Sequence, residues 1–446
     1  MKKKILYPVV VSVFAVILCI IIYSYTIKKK EEANANYELL PRKTALVQDA
    51  AWPTIQANAT KYIDALKVNN IDSKAMLQLC NIYIGEARIT GNYTYYDKAA
   101  LTYVNRALTI DSTNFEALIL KSLLYLSQHH FTDGLNIAIK ARNINPYSAY
   151  IYGLLTDAYV ETGNYDSAVA NAQKMVDTRP DIRSYSRVSY LREIYGDNAG
   201  AIEAMNMAVT AGLPGEEGTE WARIHLAQLY ENTGNLKDAE MQYYIALQER
   251  PNYAYAHAGI GRIALANKQY DSAIKYFTLA ADAVVDDGLK EQLATAYRLQ
   301  GNTAKANELM KEVIDNMTAS SNNAQKDENI GHYVDRELAY AYIITKEYDK
   351  AITHALLEYN RRPNNIDVNE CVAWAYYNKG DFAKALPYIK TALQTKSKNP
   401  TLLCRAGLIY AKTGDAATAN SFFNEALQNN PNIDFDLRNE VLGAMK

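Results

Sequence analysis

The sequence predicts an all-α protein, a superhelical solenoid of about ten helix-turn-helix repeats preceded by a single transmembrane helix. Three observations predict it. A skeleton of Gly-Asn or Gly-Asp followed a few residues later by Ala returns along the chain, as in ETGNYDSAVANAQKMVDTRP at 161–180 and KTGDAATANSFFNEALQNNP at 412–431. Most returns are thirty-three or thirty-four residues apart, the length of a supersecondary unit that cannot bury its own apolar face and must stack on its neighbours. Ahead of them, ILYPVVVSVFAVILCIIIYSYTI runs from Ile5 to Ile27 without a charge.

That run belongs to an amino-terminal segment, residues 1–30, read as a membrane anchor. A helix of this length reaches roughly 35 Å, enough to cross a bilayer. Lys2, Lys3 and Lys4 precede it and Lys28, Lys29 and Lys30 follow, so lysines mark both ends. The alternative is a cleaved signal peptide ending at Ala33-Asn34-Ala35, but the apolar run is long for one and a charged KKKEE stands between it and the cut. Both flanks are basic, so the positive-inside rule is nearly silent. The three-lysine amino terminus favours N-in, with the repeats extracytoplasmic on the periplasmic side. Cys19 lies in mid-span, and Cys80, Cys371 and Cys404 make no Cys-x-x-Cys or metal spacing. Three cysteines in the repeat region leave at least one unpaired, which pulls mildly toward a reducing compartment.

Residues 31–51 are polar and unpatterned and read as a tether. Trp52-Pro53 opens a helix over 52–71 whose apolar Ile55, Ala59, Tyr62, Ile63 and Leu66 share a face, with Pro at a first helical position. It is expected to cap the array. The array covers 72–433, with units starting near 72, 115, 149, 182, 220, 254, 287, 332, 366 and 400. Two longer steps carry inserts, AGLPGEEG at 211–218 and TASSNNAQKDEN at 318–329.

Each recurring position has a physical reason. The eleventh is Tyr125, Tyr159, Tyr230, Tyr297, Tyr342, Tyr376 and Tyr410, a ring filling the gap between the two helices of a unit. The fifteenth is Gly163, Gly196, Gly234, Gly301, Gly380 and Gly414, where a left-handed residue ends the first helix. His129, Lys268 and Lys346 replace it in three units, whose turns are expected to be strained or shaped differently. The twentieth is Ala100, Ala168, Ala201, Ala239, Ala273, Ala306, Ala351, Ala385 and Ala419, with Gly134 as the variant, because the two helices cross there at close range. Pro146, Pro180, Pro251, Pro363 and Pro431 stop the second helices. Phe435, Leu437, Val441 and Leu442 pattern residues 434–446 as a closing helix.

This period and residue pattern resembles the tetratricopeptide repeat family over roughly 72–433. The tract SYSRVSYLREIYGDNAGAIEAMNMAVTAG at 184–212 looks like one found in bacterial tetratricopeptide proteins of unassigned activity. The resemblance implies a concave surface lined by the first helix of each unit, at its second, fifth, sixth, ninth and twelfth positions. Here these are Tyr150, Arg183, Arg187, Tyr190, Trp221, Gln228, Tyr255, Arg262, Arg298, Tyr333, Arg336, Tyr340 and Trp374. Arg262, Arg298 and Arg336, with Tyr255, Tyr333 and Tyr340, are expected to form a cationic, aromatic strip. Aromatic rings and arginines are the usual anchors of protein interfaces. The Lys and Asn pattern of chaperone-tail binders is not reproduced.

A formal charge of -2 gives no global positive field for nucleic acid. Catalytic signatures are missing: no Gly-x-Ser-x-Gly, no phosphate-cradling loop, no His-Glu-x-x-His. His129-His130 reads as a solvated turn rather than a metal ligand. The expectation is therefore a membrane-anchored, non-enzymatic scaffold that binds a protein or peptide partner in its groove, with no cofactor, metal or nucleic acid and its oligomeric state open. The alternative is a cell-envelope assembly or export factor handling a glycan or maturing membrane component.

Overall fold

A computed structural model describes residues 13–24, 36–43, 46, 51–326 and 331–445. The array opens with α1 (Trp52–Val68), then α2 (Ser73–Thr90), α3 (Tyr93–Ile110), α4 (Phe115–Ser127), α5 (Phe131–Ile144), α6 (Ala149–Glu161) and α7 (Tyr165–Thr178). It continues through α8 (Ile182–Ile194), α9 (Asn198–Thr210), α10 (Glu217–Asn232), α11 (Leu236–Glu249), α12 (Ala254–Ala266), α13 (Tyr270–Ala283), α14 (Asp287–Gln300) and α15 (Thr303–Lys326). The last helices are α16 (Asp335–Ile344), α17 (Tyr348–Arg361), α18 (Ile366–Lys379), α19 (Phe382–Ala392), α20 (Pro400–Lys412), α21 (Ala416–Asn429) and α22 (Phe435–Ala444). From α2 to α21 the helices pair as hairpins, and each pair packs on the next, giving an all-α helical-repeat solenoid.

The seam positions explain the pairing. Ala168, Ala201, Ala239, Ala273, Ala351 and Ala385 are fully buried, because a methyl is all that fits where the helices cross. Gly134 stands in for Ala because a Cβ there would lie 2.8 Å from Leu126 Cδ2. Where one helix contributes a large ring, its partner gives up a side chain: a Cβ on Gly261 would meet Phe277 at 2.8 Å, and one on Gly407 would meet Phe423 at 2.4 Å. The eleventh-position tyrosines pack between the helices as expected; Tyr376 stacks on Tyr388 at 5.9 Å, and Tyr410 meets Phe422 at 5.6 Å. The second helices α5, α7, α11, α17 and α21 each end two residues before their proline.

The turns differ from expectation in one respect. His129, Lys268 and Lys346 adopt φ of 62°, 58° and 63°, the same left-handed conformation as the glycines at this position. Packing of both helices dictates the turn's shape, and the side chain bears the steric cost.

Ahead of the array, residues 36–43, expected within a tether, are extended and clamped onto the first repeats. Tyr83 and Tyr95 donate to the carbonyls of Tyr37 and Glu38 at 2.6 and 2.7 Å, and Tyr96 OH accepts from Leu40 N at 3.0 Å. Arg42 forms a buried pair with Glu86 at 2.5 Å, and its guanidinium lies 4.3 Å over Trp52 of the capping helix. The expected membrane span, 5–27, is described only at 13–24, a helix with exposed apolar side chains. No helix among the described residues is long and apolar enough to cross a membrane. The insert at 318–329 is largely a continuation of α15, and the insert at 211–218 is a compact turn held by Arg250, which donates to the Gly215 carbonyl at 2.9 Å.

The superhelix is wound so tightly that successive turns touch. Val285 N donates to Thr90 O at 3.0 Å, Tyr333 N to Gln128 O at 3.2 Å, Ile366 N to Tyr165 OH at 2.8 Å, and Asn430 Nδ2 to Glu231 O at 2.8 Å. The partners are about two hundred residues apart, as with His130 and Gly331 at 201. That separation is six units, so the turn loops of the first four units dock on the loops that open the units one superhelical turn later, and that of the fifth docks on the loop leading into α22. His129 and His130 belong to this contact. Far from being a solvated turn, their ring nitrogens lie 2.7 Å from the Tyr333 and Gly331 carbonyls, and His130 is 4% exposed. A carbonyl only accepts, so each of those nitrogens carries the proton. Arg362, buried between Glu161 and Glu358 and 4.4 Å over Phe131, ties the next pair of units together.

Candidate functional site

The first helices of the opening units wall a cavity of about 940 Å³ on the inner side of the coil. α8 and α10 contribute their second, sixth and ninth positions, α6 its second and ninth, and α4 Leu123, Leu124 and Ser127, while residues of α2 and α3 complete the lining. The cavity brings together Tyr150, Arg183, Arg187, Tyr190, Trp221 and Gln228 of the residues expected to line the groove. Its walls also carry Asp157, Glu193 and His225, which stand at the ninth, twelfth and sixth positions of their helices but are not among the residues named for the groove, and Arg88, Tyr93, Asp97 and Glu217, which lie off the groove positions. Its size is in the range of small-molecule or short-segment sites.

The arginines are already matched. Arg187 makes a forked contact with Asp157, at 2.8 Å through Nε and 2.5 Å through Nη2, and also donates to the Gly153 carbonyl at 3.1 Å. Arg88 pairs with Glu217 at 3.4 Å, and Arg183 lies 5.0 Å over the Tyr150 ring. The carboxyl of Asp97 is different. It is 4% exposed, and its hydrogen-bond partner is the Ser127 hydroxyl at 3.4 Å. Burial pushes its pKa up to about 7. Burial likewise raises Glu193, which accepts from Asn232 Nδ2 at 3.1 Å. His225 packs against Trp221 with ring centroids 4.1 Å apart and planes tilted by 59°, and burial lowers its pKa to about 4, so the imidazole is neutral. Burial raises Tyr93 to about 12 and Tyr190 well above the ordinary phenol range. Tyr190 is 38% exposed, yet that surface faces the cavity rather than bulk water.

The other expected residues lie elsewhere along the inner face. Arg262 is held by Glu231 at 2.9 and 3.1 Å and by Tyr243 OH at 2.8 Å, on the wall of a second cavity of about 580 Å³ that α22 helps to close. Arg298 is exposed and reaches Asp436 of α22 at 2.8 Å. Arg336 pairs with Glu337 at 3.2 Å and with Asp367 at 3.5 Å. Tyr340 accepts from Arg405 at 3.2 Å, and Trp374 stacks on Tyr377 at 4.9 Å beneath the same guanidinium. Tyr255 reaches Asp286 at 3.5 Å, and Tyr333 is packed against His130 at 4.2 Å in the contact between turns. The expected cationic strip is thus not a free positive surface, since Arg262, Arg298 and Arg336 each have a carboxylate from the chain itself. Buried arginines keep a carboxylate because an unmatched charge there is costly. Groove positions alone do not reveal the partner's position.

Among the described residues no group of His, Cys, Asp or Glu is arranged to hold a metal ion, and Cys80, Cys371 and Cys404 are buried free thiols.

A profile described as Tetratricopeptide repeat matches residues 222–286 and 373–432. No curated protein matches. Solved structures with a similar fold include the APC/C hetero-tetramer Cut9-Hcn1, 16% identical over 90% of this chain and 76% of that one, with a TM-score of 0.40. The human IFIT1 dimer with m7Gppp-AAAA is 14% identical over 88% of this chain and 91% of that one, with a TM-score of 0.46. A thermophilic TPR protein of Thermus thermophilus is 20% identical over 46% of this chain and 99% of that one, with a TM-score of 0.35.

Proposed function

We propose that this chain, an all-α solenoid of tetratricopeptide-type repeats, is a non-enzymatic scaffold that holds a segment of a protein partner in the 940 Å³ inner cavity, anchored to a membrane through residues 5–27. Tetratricopeptide repeats are in general protein-interaction scaffolds. The observation that carries the reading is the convergence of Tyr93, Tyr150, Tyr190 and Trp221 from four different units on one cavity. Rings that present area with few rotatable bonds are the residues that anchor interfaces. Nucleic acid fits less well: a phosphate backbone needs unmatched cations, and Arg88 and Arg187 are engaged by Glu217 and Asp157. Because the turns of the coil dock on each other, a partner enters along the superhelix axis rather than from the side, which suits an extended terminus or loop. The test is a photo-crosslinking amino acid at Tyr190 or Trp221 in the anchored protein, with Lys275 on the outer face as the control. The same discrete adduct from both inner positions and not from Lys275 supports the reading, and adducts from Lys275 alone overturn it.

A further inference from the structure

The inner cavity has an electrostatic asymmetry that its role as a groove does not require. Arg88 and Arg187 are each matched by a carboxylate, and Arg183 is covered by a tyrosine ring. Asp97 and Glu193 have no cationic partner among the described residues; they are served by a serine hydroxyl and an asparagine amide. They come from α3 and α8, two elements that share no sequence neighbourhood, and both reach the same space. An unpaired carboxylate taken out of water is penalised, and a chain under no other constraint would match or delete it. Here the acids share the lining with Tyr93, Tyr190 and Trp221, and aromatic rings attract cations.

We infer that this cavity recognises an organic cation, an alkylammonium or guanidinium group, with Asp97 and Glu193 as its counter-ions and Tyr93, Tyr190 and Trp221 as its walls. The inference rests on the scaffold reading above and gives the guest its chemistry. The group has two sources, a lysine or arginine side chain on the partner segment or a free polyamine. The raised pKa of both carboxyls agrees with the geometry, since it marks charges that the chain's own residues leave uncompensated. A matched guest supplies the missing charge and makes ionisation of both groups favourable.

The experiment uses the full chain in detergent micelles and titration calorimetry with N-acetyl-trilysine amide, spermidine, N-acetyl-trialanine amide and chitotetraose. Saturable binding of either amine, weakened at least tenfold by Asp97→Asn and by Glu193→Gln in variants with unchanged circular dichroism, supports the proposal. Tighter binding of the trilysine peptide assigns the cation to a partner side chain, and tighter binding of spermidine assigns it to a free amine. Failure of both amines to bind, equal binding of the trialanine peptide, binding of the saccharide alone, or amine binding that both variants retain would overturn it. The scaffold reading fails separately, through the crosslinks at Tyr190 and Trp221, because a neutral partner segment would crosslink there without any response to amines.

Discussion

Gly163 and Gly414 occupy the same position of the repeat and adopt similar left-handed backbones, φ 78° and 92°, but meet different surroundings. A Cβ on Gly163 would lie 2.4 Å from the carbonyl carbon of Asn364 and 2.5 Å from its oxygen, one superhelical turn away, whereas nothing lies within 4 Å of one on Gly414. Gly163→Ala and Gly414→Ala therefore share the local cost of placing alanine in the left-handed region, about 1–2 kcal/mol. Gly163→Ala also has to displace backbone across the docked turns, an overpacking cost of about 1–3 kcal/mol more. Urea unfolding followed by circular dichroism should rank the two in that order. Hydrogen exchange should then show faster exchange at the Ile366 amide, which donates to Tyr165 OH, in Gly163→Ala alone. Equal destabilisation by both substitutions, with exchange at Ile366 unchanged, would show that the turns of the coil do not bear on one another.

Ala239, fully buried at a helix crossing, should lose about 1–3 kcal/mol as Leu, read as a lower unfolding midpoint; an unchanged midpoint would undo the seam assignment. Arg362→Ala leaves Glu161 without its cation and Glu358, 2% exposed, with Arg361 alone, and should cost about 3 kcal/mol, whereas Lys379→Ala, which breaks an exposed pair with Asp349, should cost less than about 1 kcal/mol. Burial lowers the pKa of His332 to about 3, below its unfolded value near 6.5, so the unfolded chain takes up that proton first. Its contribution to stability is complete above pH 6.5 and is lost as pH falls toward 3, so the thermal midpoint of His332→Gln should fall less between pH 7 and 5 than that of the unsubstituted chain. A reporter fused after Lys446 should be active only on the extracytoplasmic side, and cytoplasmic activity would reverse the orientation.

The helical pairs, their boundaries and their shared seam were legible in the residues because each depends on contacts made within thirty-four positions. Ala239 answers to the crossing of α10 and α11, and Pro251 to the end of α11, and both constraints return in every unit, so they leave a period. The aromatic lining at Tyr150, Tyr190 and Trp221 was legible for the same reason: inward positions of a first helix recur. The partners of those residues were not. Asp157 under Arg187 and Glu231 under Arg262 stand at inward positions of the preceding unit, the ninth and the twelfth, but which inward residue of one unit meets which of the next depends on how the two units pack, not on the repeat pattern. Residues 36–43 gave no helical or strand period, because their order comes from tyrosine hydroxyls waiting on α2 and α3.

The glycines mark the boundary most sharply. Gly163, Gly196, Gly234, Gly301, Gly380 and Gly414 read as equivalent helix ends, and in backbone conformation they are, with Gly91 of the longer first unit sharing it. In space they divide. Gly91, Gly163, Gly196 and Gly234 face chain one superhelical turn later, while Gly301, Gly380 and Gly414 have nothing within 4 Å of a Cβ. That division depends on the pitch of the coil, which is the sum of many small rotations between neighbouring units. Packing within and between neighbours is set locally and is written into every repeat, but the pitch accumulates over six of them. Whether Thr90 meets Val285, whether His129 and His130 bond to carbonyls of the next turn, and which acids share a cavity with Trp221 were therefore decided only in the tertiary structure.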